Sequence, residues 1–236
     1  MTDRRTRRQT RVDETGKQTG RVIDLSHVVE SGMITHPGLP GPIVCDFLSR
    51  ADSRSRYAEG VEFHIGRIDM VANTGTYIDS PFHRYADGDD ISQLSLSSLV
   101  DMECLVVHAP FEKSLAIGAA EFSNVDVHGK AVLVHTGWDA HWRTPAYLEN
   151  NPHLTEGAAA DLAERGAALV GIDSVNIDSL ADKRRPVHTI LLGRQIPIVE
   201  HLCNLGSITG AVRFFAAPVA VRGVGTFPVR AYAIEK

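Results

Sequence analysis

Residues 131–173, AVLVHTGWDAHWRTPAYLENNPHLTEGAAADLAERGAALVGID, decide the fold class. AVLVH is a β-branched apolar run that ends in turn residues, the pattern of a buried strand. LTEGAAADLAERGA is the best helix in the chain. Thr155 suits its N-cap, Glu156 and Asp161 favour its N-terminal part, and Gly166 suits the residue just past its end. ALVGID follows at once as another buried strand. Strand, loop, helix and strand in that order form a β–loop–α–β unit, so the chain reads as α/β.

The pattern extends on both sides. Upstream, RVIDLSHVV (21–29), VEFHIGRIDMVA (61–72) and CLVVHAP (104–110) read as strands. HPGLPGPIV (36–44) is a Gly/Pro-rich loop. Downstream, VHTILLG (187–193) is a short helical turn ended by Gly193, and IPIVEHL (196–202) is a strand. RFFAAPVAV (213–221) and PVRAYAI (228–234) close the chain as strands. There is no internal repeat and no second boundary. The prediction is one domain over 21–236.

The chain has 236 residues, 43% of them hydrophobic, enough to bury a core without staples. Residues 1–20 hold six Lys/Arg against three Asp/Glu and no apolar run. They predict a disordered basic tail rather than a leader or an anchor. Net charge is -5, and the tail is the only basic cluster, which argues against nucleic acid as a partner. No run is long enough to span a membrane. Cys45, Cys104 and Cys203 are odd in number and widely spaced. That favours three core thiols and a cytoplasmic setting over a disulfide framework.

The candidate chemistry lies in NTGTYIDSPFHR (73–84) and near IPIVEHL. Asp79 and His83 flank Pro81 in a stiff turn. His188 and Glu200 stand across a helix–Gly–strand reversal that can bring them to one sheet end. Glu200 sits within an apolar run, and a buried carboxylate needs a cation or hydrogen-bond donors. On residue type alone, these four are either a metal or catalytic set or a turn acceptor, a surface imidazole and satisfied core groups. His36 and His64 are further candidates for the pocket. Trp138, His141 and Trp142 offer aromatic walls or a loop anchor. His135 reads as structural. Asp173 and Asp178, in GIDSVNID, read as turn and helix caps near a strand end. Arg184 and Arg185 face either an acidic substrate or solvent.

The segment NTGTYIDSPFH resembles the hallmark H-x-G-T-H-x-D-x-P-x-H of the metal-dependent "cyclase" hydrolases, the family of bacterial kynurenine formamidases and isatin hydrolases. DLSHVVESGMITHPG, VLVHTGW, VGIDSVNID, VHTILLGRQIPIVEHLCNL and GTFPVRAYA continue the resemblance over roughly residues 21–235. It implies a swivelling β/β/α domain, with a mixed sheet and flanking helices, acting as a homodimer. It also implies that Asp79, His188 and Glu200 ligate one divalent transition metal, zinc or manganese, and that His83 is the catalytic histidine. The two histidines of the family's other metal site fall on Asn73 and Tyr77. Neither is a good zinc ligand at neutral pH, so that second site is expected to be lost. Tyr77 is then either packing or a phenol that stabilises an oxyanion, and Asn73 a substrate or turn contact. The implied activity is hydrolysis of a small amide substrate, arylformamidase-like: N-formylkynurenine to kynurenine and formate in tryptophan breakdown. The alternatives are a catalytically inactive small-molecule binder and an enzyme for another cyclic amide or lactone.

Overall fold

A computed structural model of the chain describes residues 9–12 and 18–235. Strands β1 (Gln9–Val12), β2 (Gln18–Asp24), β3 (Ile43–Leu48) and β4 (Ile65–Asp69) come first, with helix α1 (Arg50–Ser53) between the last two. β5 (Tyr77–Asp79), β6 (Met102–His108), β7 (Ala116–Ile117), β8 (Ala131–His135) and β9 (His153–Leu154) follow. Helix α2 (Glu156–Glu164), β10 (Leu169–Ile172), helix α3 (Pro186–Gly193) and β11 (Ile198–Glu200) come next. β12 (Val212–Phe215), β13 (Thr226–Pro228) and β14 (Tyr232–Glu235) complete the chain.

Among the described residues, ten strands form one mixed sheet, ordered β1-β2-β14-β12-β6-β8-β10-β11-β5-β13. β8 and β10 pair in parallel, Ala131 opposite Leu169, with α2 as the crossover. This is the unit that the stretch 131–173 predicts. Thr155 caps α2 by accepting the Ala158 N–H at 3.2 Å, and Gly166 takes φ +77°, as a residue beyond a helix end commonly does.

Side-chain alternation splits the core into two layers. Val132, Val134, Val170, Ile172 and Ile198 pack under α2 and α3 against Leu162, Val187 and Leu191. Ala131, Leu133, Leu169 and Val199 face the other way, onto Leu25, Leu202, Phe214 and Ala233. The fold is thus a mixed sheet with helices packed on one face. No helix among the described residues is long and apolar enough to cross a membrane.

Three expectations change. Gln9–Val12 pairs with β2, Gln9 opposite Val22, and β2 itself begins at Gln18. These parts of 1–20 are strand rather than disordered tail, because an open sheet edge offers unpaired backbone groups to a neighbouring segment. Residues 1–8 and 13–17 lie outside the described residues. The strand predicted over 61–72 contracts to β4, which pairs only with β3, outside the large sheet. Cys45 is exposed on β3, while Cys104 and Cys203 are buried. The β3–β4 hairpin stands clear of the core, so its apolar residues Phe47 (70% exposed), Ile68 and Ile43 face outward.

Candidate metal centre

Strand register builds the floor of the site. β5 lies between β11 and β13, antiparallel to both. Tyr77 stands opposite Glu200, and Asp79 stands opposite Thr226. Directly opposed residues share a face, so these four side chains meet on one side of the sheet. Ile78 and Val199 point to the other side, into the apolar core. The Tyr77 hydroxyl donates to Glu200 Oε2 at 2.6 Å. Thr226 Oγ1 donates to Asp79 Oδ1 at 2.5 Å.

His188 arrives from the first turn of α3. That helix has Pro186 at its start and no side-chain cap from Arg185. Asp178 supplies the missing acceptor from the loop between β10 and α3. It takes the N–H groups of Val187 (2.8 Å) and His188 (3.1 Å), then the His188 ring at Nδ1 (2.7 Å). One carboxylate therefore caps the helix and fixes the imidazole so that Nε2 faces the sheet. The loop is held in turn by Asn151, whose amide donates to the carbonyls of Asn176 (2.8 Å) and Asp178 (3.0 Å). Glu200 Oε1 accepts the Ile177 N–H at 2.6 Å.

The residues present fit a divalent cation. His188 Nε2 lies 3.6 Å from Asp79 Oδ2 and 3.7 Å from Glu200 Oε1. Two donors on one tetrahedral zinc stand about 3.4 Å apart, given bonds of about 2.1 Å. Asp79 Oδ2 is buried with no hydrogen-bond partner, a cost that a cation beside it would relieve. Asp79, His83 and His188 also each offer a ligand atom, all within 4.8 Å of one another.

The charges agree. Burial pushes the Glu200 carboxyl up to about 7 against the pull of His188, and Asp79 adds to the rise. Burial would raise Asp79 too, but His83, His188 and Thr226 bring it below the ordinary range. Burial alone would lower His188; its bond to Asp178 and the nearby carboxylates of Asp79 and Glu200 carry it up to about 10. A proton held that tightly among three carboxylates stands where a metal ion would provide the same compensation.

Tyr77 is no ligand. Burial, then Glu200 and Asp79, hold its hydroxyl well above the usual phenol range, so it remains a neutral donor. Its one proton is already committed to Glu200, whereas the oxyanion role requires that proton to be free.

His83 stands at the edge, its side chain 37% exposed. Its Nδ1 lies 2.9 Å from Thr226 Oγ1. That hydroxyl has one proton, already given to Asp79, so it accepts from His83 Nδ1–H. For the neutral ring this fixes the tautomer, with the lone pair on Nε2.

A cavity of about 450 Å³ opens over this set. His36, Asn73, Tyr77, His83, His188 and Glu200 all line it, so the structure brings these predicted residues together with Asp79 beneath them. Two predicted pocket residues are misplaced. His64 bonds Asp46 at 2.9 Å on the β3–β4 hairpin and does not line the cavity, because its strand leaves the large sheet. Trp138 is 7% exposed, donates its Nε1–H to the Tyr147 carbonyl at 3.1 Å and packs against Tyr147 and Val175, so it anchors a loop instead. Arg184 is exposed and paired with Asp182 at 2.8 Å, whereas Arg185 lines the cavity. Thr226 escaped sequence reasoning, since a threonine in GTF has no chemical signal of its own. Asp178 does act as a cap, and its second duty to His188 appears only in space.

Comparison with known proteins agrees with the geometry. A family model described as "Putative cyclase" matches residues 23–179. The kynurenine formamidase of Geobacillus thermodenitrificans (strain NG80-2) is 31% identical over 210 residues, covering 89% of this chain and 95% of the relative. That of Bacillus mycoides (strain KBAB4) is 29% identical over 215 residues, covering 91% and 97%. Among solved structures, a potential metal-dependent hydrolase with cyclase activity superimposes with a TM-score of 0.77 at 24% identity, over 92% of this chain and 99% of the other. An isatin hydrolase bound to the product analogue thioisatinate does so with a TM-score of 0.75 at 20% identity, over 91% and 92%. The structural likenesses speak for the fold, and the matched model for the lineage: the chain belongs to the cyclase family.

Proposed function

We propose that the protein is a metal-dependent hydrolase of a small aryl amide, arylformamidase-like, with N-formylkynurenine as the first substrate to test. The observation that carries this reading is the buried, unpartnered Asp79 Oδ2 facing His188 and Glu200, with a tautomer-fixed His83 above them. The names of the relatives support the amide class.

Asp79, His188 and Glu200 would hold one divalent ion, zinc or manganese. When bound, such an ion supplies Lewis acidity towards an amide carbonyl. His83 accepts the proton of the attacking water at Nε2 and returns it to the nitrogen as the carbon–nitrogen bond breaks. Thr226 holds the opposite ring nitrogen protonated and ties the ring to Asp79. Tyr77 and the Ile177 N–H orient Glu200. Pro37 and Leu39 line the cavity and give an aryl ring an apolar wall.

The test is elemental analysis of purified protein, with formamidase turnover before and after chelation. The expected result is one tightly held transition metal per chain and activity that chelation removes and the metal restores. Full turnover in metal-free protein would overturn the reading. The exposed apolar hairpin supports the homodimer that the resemblance implies. Glutamate at both Phe47 and Ile68 should shift the chain to monomer in sedimentation. The three free cysteines support a cytoplasmic setting.

A further inference from the structure

The lip of the cavity carries charge that the hydrolytic step does not use. Arg84 and Arg185 both line it, and neither has a carboxylate partner among the described residues. Arg184, one position away, does: it pairs with Asp182 and with Glu156 at 3.8 Å. Two adjacent arginines thus have opposite fates, one neutralised at the surface and one left free at the cavity.

Arg185 is held for this position. Its backbone lies in the left-handed region, φ 51° and ψ 56°, which strains a residue with a side chain. That turn brings the guanidinium back over the loop after β10. Nη1 donates to Asn176 Oδ1 at 2.9 Å and to the Ser179 carbonyl at 3.3 Å. Both contacts use a single nitrogen, so Nε and Nη2 retain donors for a ligand. Asn176 lines the cavity too, so the anchor itself is part of the wall. His36 lines the same cavity; burial lowers its ring first, its contact with Pro37 opposes this, and the charges of Arg185, His188 and Lys183 add to the fall.

Arg84 follows His83 directly. Its Nε donates to Thr189 Oγ1 at 3.2 Å, and its guanidinium lies 5.3 Å from the Tyr85 ring centre. Its two terminal nitrogens make no described bond. The lip therefore presents two steadied guanidinium groups, and among the described residues lining the cavity the one carboxylate, Glu200, lies at its floor.

We propose that Arg185, assisted by Arg84, binds a carboxylate on the substrate, so that the preferred substrate is a net-anionic aryl amide. Planar guanidinium donors match a carboxylate in a two-pronged geometry. This deepens the hydrolase reading and rests on it for turnover, although not for binding.

The test uses the metal-loaded protein. N-Formylanthranilate carries a carboxylate beside its formamide, formanilide carries none, and N-formylkynurenine offsets its carboxylate with an ammonium. Expected kcat/KM falls in the order N-formylanthranilate, N-formylkynurenine, formanilide, with roughly a hundredfold between the first and last. Arg185→Gln should raise KM for N-formylanthranilate about tenfold to a hundredfold and collapse its advantage over formanilide. Arg185→Lys should recover part of it. Arg84→Gln should have a smaller effect in the same direction. Calorimetry with anthranilate and with aniline reads the subsite without catalysis, and only anthranilate should bind. Equal losses on both amides, or no preference for anthranilate over aniline, overturns the proposal. Binding of anthranilate with no turnover of any of the amides would instead sink the hydrolase reading and leave the anion subsite standing.

Discussion

On the cavity floor, Asp79, Glu200 and His188 are 0%, 1% and 6% exposed. At its lip, His83 and Arg84 are exposed and Arg185 is half-buried. The floor is set by strand register and by a helix cap, both parts of the packed sheet. The lip is set by a short turn after β5 and by the loop before α3. Register cannot shift by one residue without turning every side chain to the wrong face. Loops accept new side chains at little cost to the core. The proposed metal ligands therefore sit where the fold is least able to vary, whereas His83 and the proposed selectivity sit where it varies more easily.

The largest effect should separate His83 from the floor. His83→Ala should lower turnover on the order of 10²–10⁴ if it moves the proton. Metal content should hold, because Asp79, His188 and Glu200 remain. If the variant loses its metal along with its activity, His83 is a ligand and belongs with the floor.

Next comes the support beneath the floor. Asp178→Asn keeps an acceptor for the N–H groups of α3 but loses the charge facing His188 Nδ1. Metal affinity should drop about tenfold to a hundredfold in a competitive chelator titration. An unchanged affinity would reduce Asp178 to a helix cap.

Tyr77 tests the floor from the other side. Tyr77→Phe leaves Glu200 Oε2 without its donor in a buried site and should cost about 1–3 kcal/mol of stability, read by denaturant titration. If stability holds while turnover collapses with metal still bound, the phenol serves the reaction directly, and the oxyanion role stands after all.

The smallest effect lies beside the floor. His27 stacks on Trp142 with ring centres 3.9 Å apart, and its N–H donates to Thr76 in the segment leading into β5. Burial lowers its imidazole to about 4, partly opposed by Asp24. The unfolded chain then binds the proton more readily than the folded one. Stability should be full above about pH 6.5 and fall as pH drops towards 4. The ring is only partly buried, so the loss attributable to it should be about 1 kcal/mol. His27→Gln should flatten that limb of the stability–pH curve. If the curve is as steep in the variant, the acid sensitivity belongs to another group.

How much of this was legible depends on how local each residue's signal is. Thr155 and Gly166 bracket α2 as written, because capping is decided within a few residues. Residue type alone left Asp79, His83, His188 and Glu200 with a structural alternative, and only the resemblance to the cyclase hallmark joined them as one candidate set. His64 and Trp138 were misread. Each lies beside a recognisable motif, yet the one follows a hairpin off the large sheet and the other turns into a loop core with Tyr147. Arg184 and Arg185 are indistinguishable as letters, and only the left-handed backbone at 185 separates a surface ion pair from a cavity wall.

The sequence by itself determined the α/β class and the crossover at 131–173, and its resemblance to the cyclase hallmark marked the candidate polar set and placed Asn73 and Tyr77 where the family carries two histidines. Periodicity, capping and residue chemistry act over short stretches, so these needed no coordinates. Only the tertiary structure decided that Tyr77 gives its proton to Glu200, that Thr226 links His83 to Asp79 and that Asp178 orients His188. The partners in those contacts lie 123, 143, 147 and 10 residues apart. Antiparallel register at β5 and the docking of α3 bring them together, and neither is written in any single stretch of the chain.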